Sequence, residues 1–196
     1  ELGIRPVAIS GSSIGAIMGA GMAAGMRGAE INAYARSILG RSGEVAARMW
    51  RARPGSFTEM FDGGVRIGQF NAERVLRAFL PDAIPDRFEE LSIPLLVTAT
   101  DYYGHDEAVF SQGDLYLALS ASAAIPALFR PVQHEGRILI DGGIVNPVPF
   151  DLLERRADIV IAIDVVGVPQ ENGRSRPTSI DLLFGASQIM MESIVA

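Results

Sequence analysis

The feature that most restricts the fold is an uncharged run of 21 residues from Pro6 to Met26. It is as long as a membrane-spanning helix, and some of its glycines are four residues apart, as in the contact faces of paired membrane helices. However, five of its residues are glycine and it includes the polar stretch Ser10–Ser13, whereas a spanning helix consists mostly of large apolar residues. We therefore predict a short strand, a tight turn and a buried helix from about Ile14 instead of a membrane span.

Strand-like and helix-like segments alternate along the remaining chain. Apolar runs of strand length occur at Val7–Ser10, Ile93–Thr100, Ala108–Phe110, Arg137–Ile140 and Ile159–Val166. Helices are predicted over residues 29–39, 45–50, 71–80, 114–124 and from 179 onwards, with Asn71 and Asp114 as N-caps, and residues 51–68 are predicted to form a loop. The alternation predicts one α/β domain over residues 1–196, with three α/β/α layers and a mainly parallel sheet. The last strand-like run is apolar throughout, as expected for a strand covered on both faces.

The composition excludes several kinds of active site. There is no cysteine, so neither a thiolate nucleophile nor a cysteine-ligated metal site is available. All 17 basic residues are arginine, which excludes the lysine of a Walker loop or a kinase and any Schiff base. The net charge of −6 and the scattered arginines argue against nucleic acid as a partner. Only two histidines, His105 and His134, remain for acid–base or metal chemistry, and we predict neither a metal nor a cofactor.

The pattern Gly-x-Ser-x-Gly occurs at Gly11, Ser13 and Gly15, between the predicted first strand and the following helix. A serine at the tip of such a turn is held in a strained backbone conformation that small neighbours permit. Its hydroxyl then faces the cleft at the positive end of the helix, and the N–H of the next residue, Ile14, faces an incoming carbonyl oxygen. Ser13 is therefore a candidate nucleophile, and Ile14 a candidate oxyanion donor.

Two other interpretations of this turn stay open. A glycine-rich turn also serves simply to pack a helix closely against a sheet. Gly11 and Gly15 also resemble part of a dinucleotide-binding fingerprint, but Ser13 and Ala16 occupy the second and third glycine positions of that motif. A short-chain dehydrogenase would further need an active-site lysine, which this chain lacks.

Asp141 is the candidate partner of the serine. It ends the strand-like run that begins at Arg137 and is followed by Gly142 and Gly143. Catalytic groups lie at such strand ends in α/β sheets, and we expect the glycine N–H groups to orient the carboxylate. A second Asp-Gly-Gly triplet begins at Asp62, in the predicted loop, and is most simply a turn.

The histidines allow a rival arrangement. Asp101 follows a predicted strand and His134 comes later, which gives the order Ser, Asp, His of an α/β-hydrolase triad with Ser13. However, His134 falls at a predicted hairpin tip, and His105 in another turn. Exposed turn positions are the simpler explanation of both histidines.

Taken together, the motifs resemble the patatin-like phospholipase family. Gly11–Gly15 matches its nucleophile elbow, and Asp141–Pro149 is similar to its Asp-Gly-Gly signature and the prolines that follow. Between them, Ala121–Val132 is similar to the Ala-Ser-x-Ala-Ile-Pro-x-x-Phe-x-Pro segment of the family. The resemblance extends from Glu1 to about Val166 and is closest to short bacterial members near the neuropathy target esterase branch.

The resemblance implies a patatin-like fold and a cofactor-independent hydrolase of lipid acyl esters, of phospholipase A or lysophospholipase type. Ser13 would be the nucleophile and Asp141 its sole partner, with no histidine. The family also has a glycine-rich oxyanion loop that nothing here matches, so we expect a domain lacking that loop and its first strand, with low turnover. We further expect a cytoplasmic protein with transient, apolar contact at membrane surfaces, and leave its oligomeric state open. The competing class is a non-catalytic binding protein on the same fold.

Overall fold

The computed structural model describes residues 3–39, 70–126, 128–167, 169 and 179–195. The strands of these residues form one five-stranded sheet. They are β1 (Ile9–Ser12), β2 (Leu95–Asp101), β3 (Asp106–Phe110), β4 (Val132–His134) and β5 (Arg137–Asp141). The helices are α1 (Ile14–Ala23), α2 (Gly28–Leu39), α3 (Ala72–Phe79), α4 (Leu115–Ser122) and α5 (Ser179–Val195), with 3₁₀ turns at Phe88–Glu90, Gly142–Ile144 and Asp151–Leu153.

The α/β architecture is confirmed, but the sheet is mixed where a mainly parallel one was predicted. In the described part of the chain, β1 runs parallel to β2, whereas β3 and β5 are antiparallel to β2, and β4 is antiparallel to β5. The connections explain the difference, because parallel strands need a long crossover and tight turns join antiparallel ones. Only residues 102–105 separate β2 from β3, and Glu135 and Gly136 separate β4 from β5.

β1 and β5 share one edge of β2 and run toward each other, whereas β3 lies on the opposite edge. β3 pairs with residues 97–101 of β2 and therefore occupies one edge over that length. On the other edge, β1 pairs with residues 95–98 and β5 with residues 99–101. The last residue of β1, Ser12, is thus in register with Thr98, and the last residue of β5, Asp141, with Ala99. The carboxyl ends of β1 and β5 meet at this point.

The predicted strand at Ile159–Val166 is wrong for the described structure. This run forms no strand, and the side chains of Ile159, Ile161, Ile163 and Val165 are 65% to 80% exposed. A β-strand is stabilised by hydrogen bonds to a neighbour, and none of the described strands pairs with this run. Apolar β-branched composition alone therefore does not produce a strand here.

The core lies between the sheet and helices α1 and α4. Small residues of α1 are completely buried, which allows this helix to approach the sheet closely. Leucine and valine side chains of β2 and α4 fill the rest of this layer. The fully or almost fully buried residues of α1, β2 and α4 in this layer are Ala16, Ala20, Ala23, Leu95, Val97, Leu115, Ala118 and Leu119. This packing fixes the start of α1, where the candidate serine lies.

Both predicted N-caps are confirmed. The Asn71 side chain accepts a hydrogen bond from Arg74 N–H, and Asp114 accepts one from Leu117 N–H, each at 2.9 Å. The predicted helix at 45–50 and the loop at 51–68, including Asp62, lie outside the described residues. Among the helices that the structure describes, none is both long and apolar enough to cross a bilayer.

Candidate active site

Ser13 lies at a strained turn between β1 and α1. Its backbone has φ 52° and ψ −121°, a region that L-residues rarely occupy. The two glycines of the motif differ in what they permit. A Cβ at Gly11 would lie 2.6 Å from Ala16 N, whereas a Cβ at Gly15 would meet no atom within 4 Å. Gly11 is therefore required by the packing of the turn, whereas a methyl side chain would fit at Gly15.

Asp141 is held by the turn that follows it. Gly143 N–H donates to Asp141 Oδ1 at 2.9 Å, as expected from the sequence, and Thr100 Oγ1 donates to the Asp141 carbonyl at 2.8 Å. A Cβ at Gly142 would collide with the Thr98 carbonyl, so this turn needs glycine to pass close to β2. One carboxylate oxygen is thus anchored, which leaves the other to face the turn at Ser13.

The two candidate residues are in direct contact. Ser13 Oγ donates a hydrogen bond to Asp141 Oδ2 at 2.6 Å. The contact follows from the register of the sheet, because β1 and β5 end against consecutive residues of β2. A serine hydroxyl hydrogen-bonded to an oriented base is the geometry of an activated nucleophile.

Burial changes the proton affinity of the base. Asp141 is only 5% exposed, and loss of solvation raises the pKa of its carboxyl above the usual range. The hydrogen bonds from Ser13 and Gly143 act in the opposite direction and limit this rise. A raised pKa makes the carboxylate a stronger base than a solvated aspartate, which favours proton transfer from an alcohol.

The candidate oxyanion donor is the N–H of Ile14. Ile14 is the first residue of α1, and the first N–H groups of a helix have no acceptor within it. The N–H of Ser13 itself is occupied, because it donates to Ser122 Oγ at 2.8 Å. Sequence reasoning assigned no role to Ser122 or Thr100. Ser122 was noted only as the serine of the Ala-Ser-x-Ala-Ile-Pro segment, and Thr100 only as the end of a strand-like run.

The structure does not assemble the alternative triad. Asp101 Oδ1 accepts from Gly104 N–H at 2.9 Å and so closes its own turn. His134 is in register with Arg137, four residues before Asp141 on β5, which is about 13 Å along an extended strand. His105 lies in a turn, as expected, and has φ 56°. His134 is not at the hairpin tip: it is the last residue of β4 and is half-buried, and the turn is formed by Glu135 and Gly136.

In the part of the chain that the structure describes, no group of three or more histidine or carboxylate side chains lies close enough together to hold a metal ion. Ser13 and Asp141 bring a hydroxyl, a buried carboxylate and a helix N-terminus together at one point. These are the chemical groups from which a nucleophile, a base and an oxyanion donor for acyl transfer can be built.

Comparison with known proteins identifies the family of the chain. The profile of a family described as patatin-like phospholipase matches residues 1–154. The chain belongs to this family. It is 33% identical over 169 residues to an uncharacterized NTE family protein of Mycobacterium tuberculosis, covering 85% of this chain and 43% of that protein. The resemblance inferred from the motifs is therefore confirmed.

Other relatives are more distant. Patatin-like phospholipase domain-containing protein 7 of Mus musculus is 28% identical over 170 residues, which cover 84% of this chain and 12% of that protein. The chain thus spans less than half the length of these two relatives. The crystal structure of VipD from Legionella pneumophila matches 87% of this chain and 42% of its own, with a TM-score of 0.38 and 15% identity.

The two motif glycines give a matched pair of substitutions. Gly11→Ala should lower the free energy of unfolding by about 1–3 kcal/mol, because its Cβ would overlap the backbone of α1. Gly15→Ala should leave it unchanged or raise it by up to about 1 kcal/mol, because alanine favours the helix and the site is open. Urea unfolding of both variants measures the difference. Equal destabilisation by the two substitutions would contradict the geometry of the turn.

Asp141→Asn tests the cost of burying the charge. Because the folded-state pKa of Asp141 is raised, the free energy of unfolding of the parent should fall as pH rises through the interval between the unfolded and folded pKa values. Asparagine carries no charge and lacks this dependence. The variant should therefore be at least as stable as the parent at about pH 8, with a smaller advantage at about pH 4. Denaturant unfolding at both pH values checks this, and a variant that is less stable at the higher pH argues against it.

Proposed function

We propose that the protein is a serine hydrolase of lipid acyl esters, with Ser13 as nucleophile and Asp141 as the only protein base. The observation that carries this proposal is the 2.6 Å hydrogen bond from the Ser13 hydroxyl, at a strained strand-to-helix turn, to a buried carboxylate. Membership of the patatin-like phospholipase family supports the class of reaction and substrate.

The reaction proceeds in two halves. Asp141 Oδ2 takes the proton of Ser13 as Oγ attacks the ester carbonyl, and the negative charge on the carbonyl oxygen is stabilised by Ile14 N–H. The tetrahedral intermediate collapses, and the leaving alcohol receives the proton from Asp141. A water molecule then gives a proton to Asp141 and attacks the acyl-enzyme. Collapse of this second intermediate releases the carboxylic acid and returns the proton to Ser13.

Apolar side chains next to the pair support an acyl substrate. Ile14, Met18 and Met22 are spaced four apart on α1 and are 51%, 37% and 40% exposed, so they form one apolar stripe that starts beside Ser13. Ile144, three residues after Asp141, is 36% exposed. We propose that these side chains contact the hydrocarbon chain of a phospholipid or lysophospholipid. The same stripe would make transient contact with a membrane surface from the cytoplasm by apolar rather than electrostatic attraction, given the net charge of −6.

The oxyanion site needs more than one donor for high activity, since removing a single donor typically lowers turnover by about 10²–10³-fold. The expectation that this chain lacks the glycine-rich oxyanion loop and first strand of the family stays a prediction.

Ser13→Ala is the direct test of the nucleophile. Its hydrolysis of p-nitrophenyl acyl esters should fall by roughly 10³-fold or more, and its labelling by a fluorophosphonate probe should disappear. Ser12→Ala is the matched control: this neighbour is buried and its Oγ has no hydrogen-bond partner among the described residues. It should keep most of the activity. An unlabelled parent protein would favour the non-catalytic binding class, and hydrolysis by Ser13→Ala at the parent rate would refute the assignment.

His134→Ala separates the dyad from the triad. His134 pairs with Arg137, four residues before Asp141 on β5, and so lies away from the carboxylate. Its loss should therefore change kcat by less than about threefold. Steady-state hydrolysis of the same esters gives the value. A loss comparable to that of Ser13→Ala would instead require a histidine base.

A further inference from the structure

The last residue of α4 contacts the strained turn from 109 positions away in the chain. Ser122 is completely buried, and its Oγ accepts the N–H of Ser13 at 2.8 Å. Ser13 has φ 52°, and such backbone conformations persist only where surrounding contacts enforce them. A buried hydroxyl therefore holds the main chain at the strained residue itself.

The same turn of chain also holds the candidate base. The carbonyl of Ala124, two residues after Ser122, accepts the N–H of Asp141 at 3.1 Å. The end of α4 thus binds the main chain of both candidate catalytic residues, one through a side chain and one through a carbonyl. The relative position of Ser13 and Asp141 is fixed by this bridge as well as by their own hydrogen bond.

Ser122 also determines which N–H groups are available to a substrate. With the Ser13 N–H directed to Ser122 Oγ, that donor is withdrawn from the space in front of the nucleophile. The first free donor of the helix is then Ile14 N–H. The Ser13 N–H belongs to the peptide between Ser12 and Ser13. A change in φ of Ser13 relative to this peptide would move both Ser13 Oγ and the Ile14 N–H away from their positions.

We propose that Ser122 is a positioning residue for acyl transfer, which fixes the peptide of Ser13 so that Oγ stays in reach of Asp141 and Ile14 N–H faces the ester carbonyl. This inference rests on the proposed hydrolase function. Ser122 does not touch the substrate, so its contribution acts on the rate of the chemical step more than on binding. Misplacement of a reacting group by about 1 Å typically lowers the rate by about 10²-fold.

Ser122→Ala removes the acceptor, and Ser120→Ala is the matched control. Ser120 is also buried on α4, but among the described residues its hydroxyl bonds only to the Tyr116 carbonyl within the same helix. At a temperature where both variants are folded, Ser122→Ala should lower kcat for a soluble acyl ester by about 10–100-fold with little change in KM. Fluorophosphonate labelling should slow by a similar factor, and Ser120→Ala should stay within about threefold of the parent. Equal rates in the two variants would overturn the proposal.

Two further measurements keep the test decisive. Ser122→Cys preserves the volume of the side chain with a weaker acceptor and should give an intermediate kcat; a parent-like kcat would contradict the proposed role. Amide hydrogen exchange of Ser13 should accelerate in Ser122→Ala and not in Ser120→Ala, whatever the catalytic activity. Unchanged exchange refutes the hydrogen-bond role, whereas a parent protein with neither labelling nor hydrolysis refutes the hydrolase function instead.

Discussion

The candidate site depends on one edge of β2. Two strands approach each other along this edge, β1 in the direction of β2 and β5 against it, and they stop against Thr98 and Ala99. Because these are consecutive residues, the ends of the two strands lie within reach of short side chains. The short side chains of Ser13 and Asp141 therefore reach each other directly, in a hydrogen bond of 2.6 Å. The glycines after Asp141 allow the chain to leave this crowded junction beside the Thr98 carbonyl.

Folding concentrates unfavourable features at this junction. Ser13 has a strained backbone, and Asp141 carries a carboxyl whose pKa is raised by burial. Neither feature improves stability, and both suit a nucleophile and its base. The surrounding core compensates, because completely buried alanines of α1 and leucines of α4 pack against β2. The rigid layer of helices and sheet therefore supports a local arrangement that would not persist in an isolated loop.

Local signals in the sequence were the most reliable. Asn71 and Asp114 cap their helices as predicted, because a cap depends only on residues three positions away. The predicted strand at Ile159–Val166 failed because a strand requires a neighbour that composition does not reveal. Motifs at strand ends identified the candidates Ser13 and Asp141. Ser122 also lies in a recognisable segment, but its contact with Ser13 joins residues 109 positions apart, and no local pattern reveals such a contact. The parallel prediction failed where short turns decided strand direction.

The shared attachment at the end of α4 also has a dynamic consequence. Packed helices rock against their sheets in collective motions that are slow compared with side-chain rotation. When α4 moves, Ser122 Oγ and Ala124 C=O move together, and they carry the Ser13 and Asp141 peptides in the same direction. Motion of the helix should therefore change the distance between the Ser13 hydroxyl and the Asp141 carboxylate less than it would if only one of them were attached to it. In the proposed hydrolase, such motion would act on the approach of the ester more than on the proton-transfer distance.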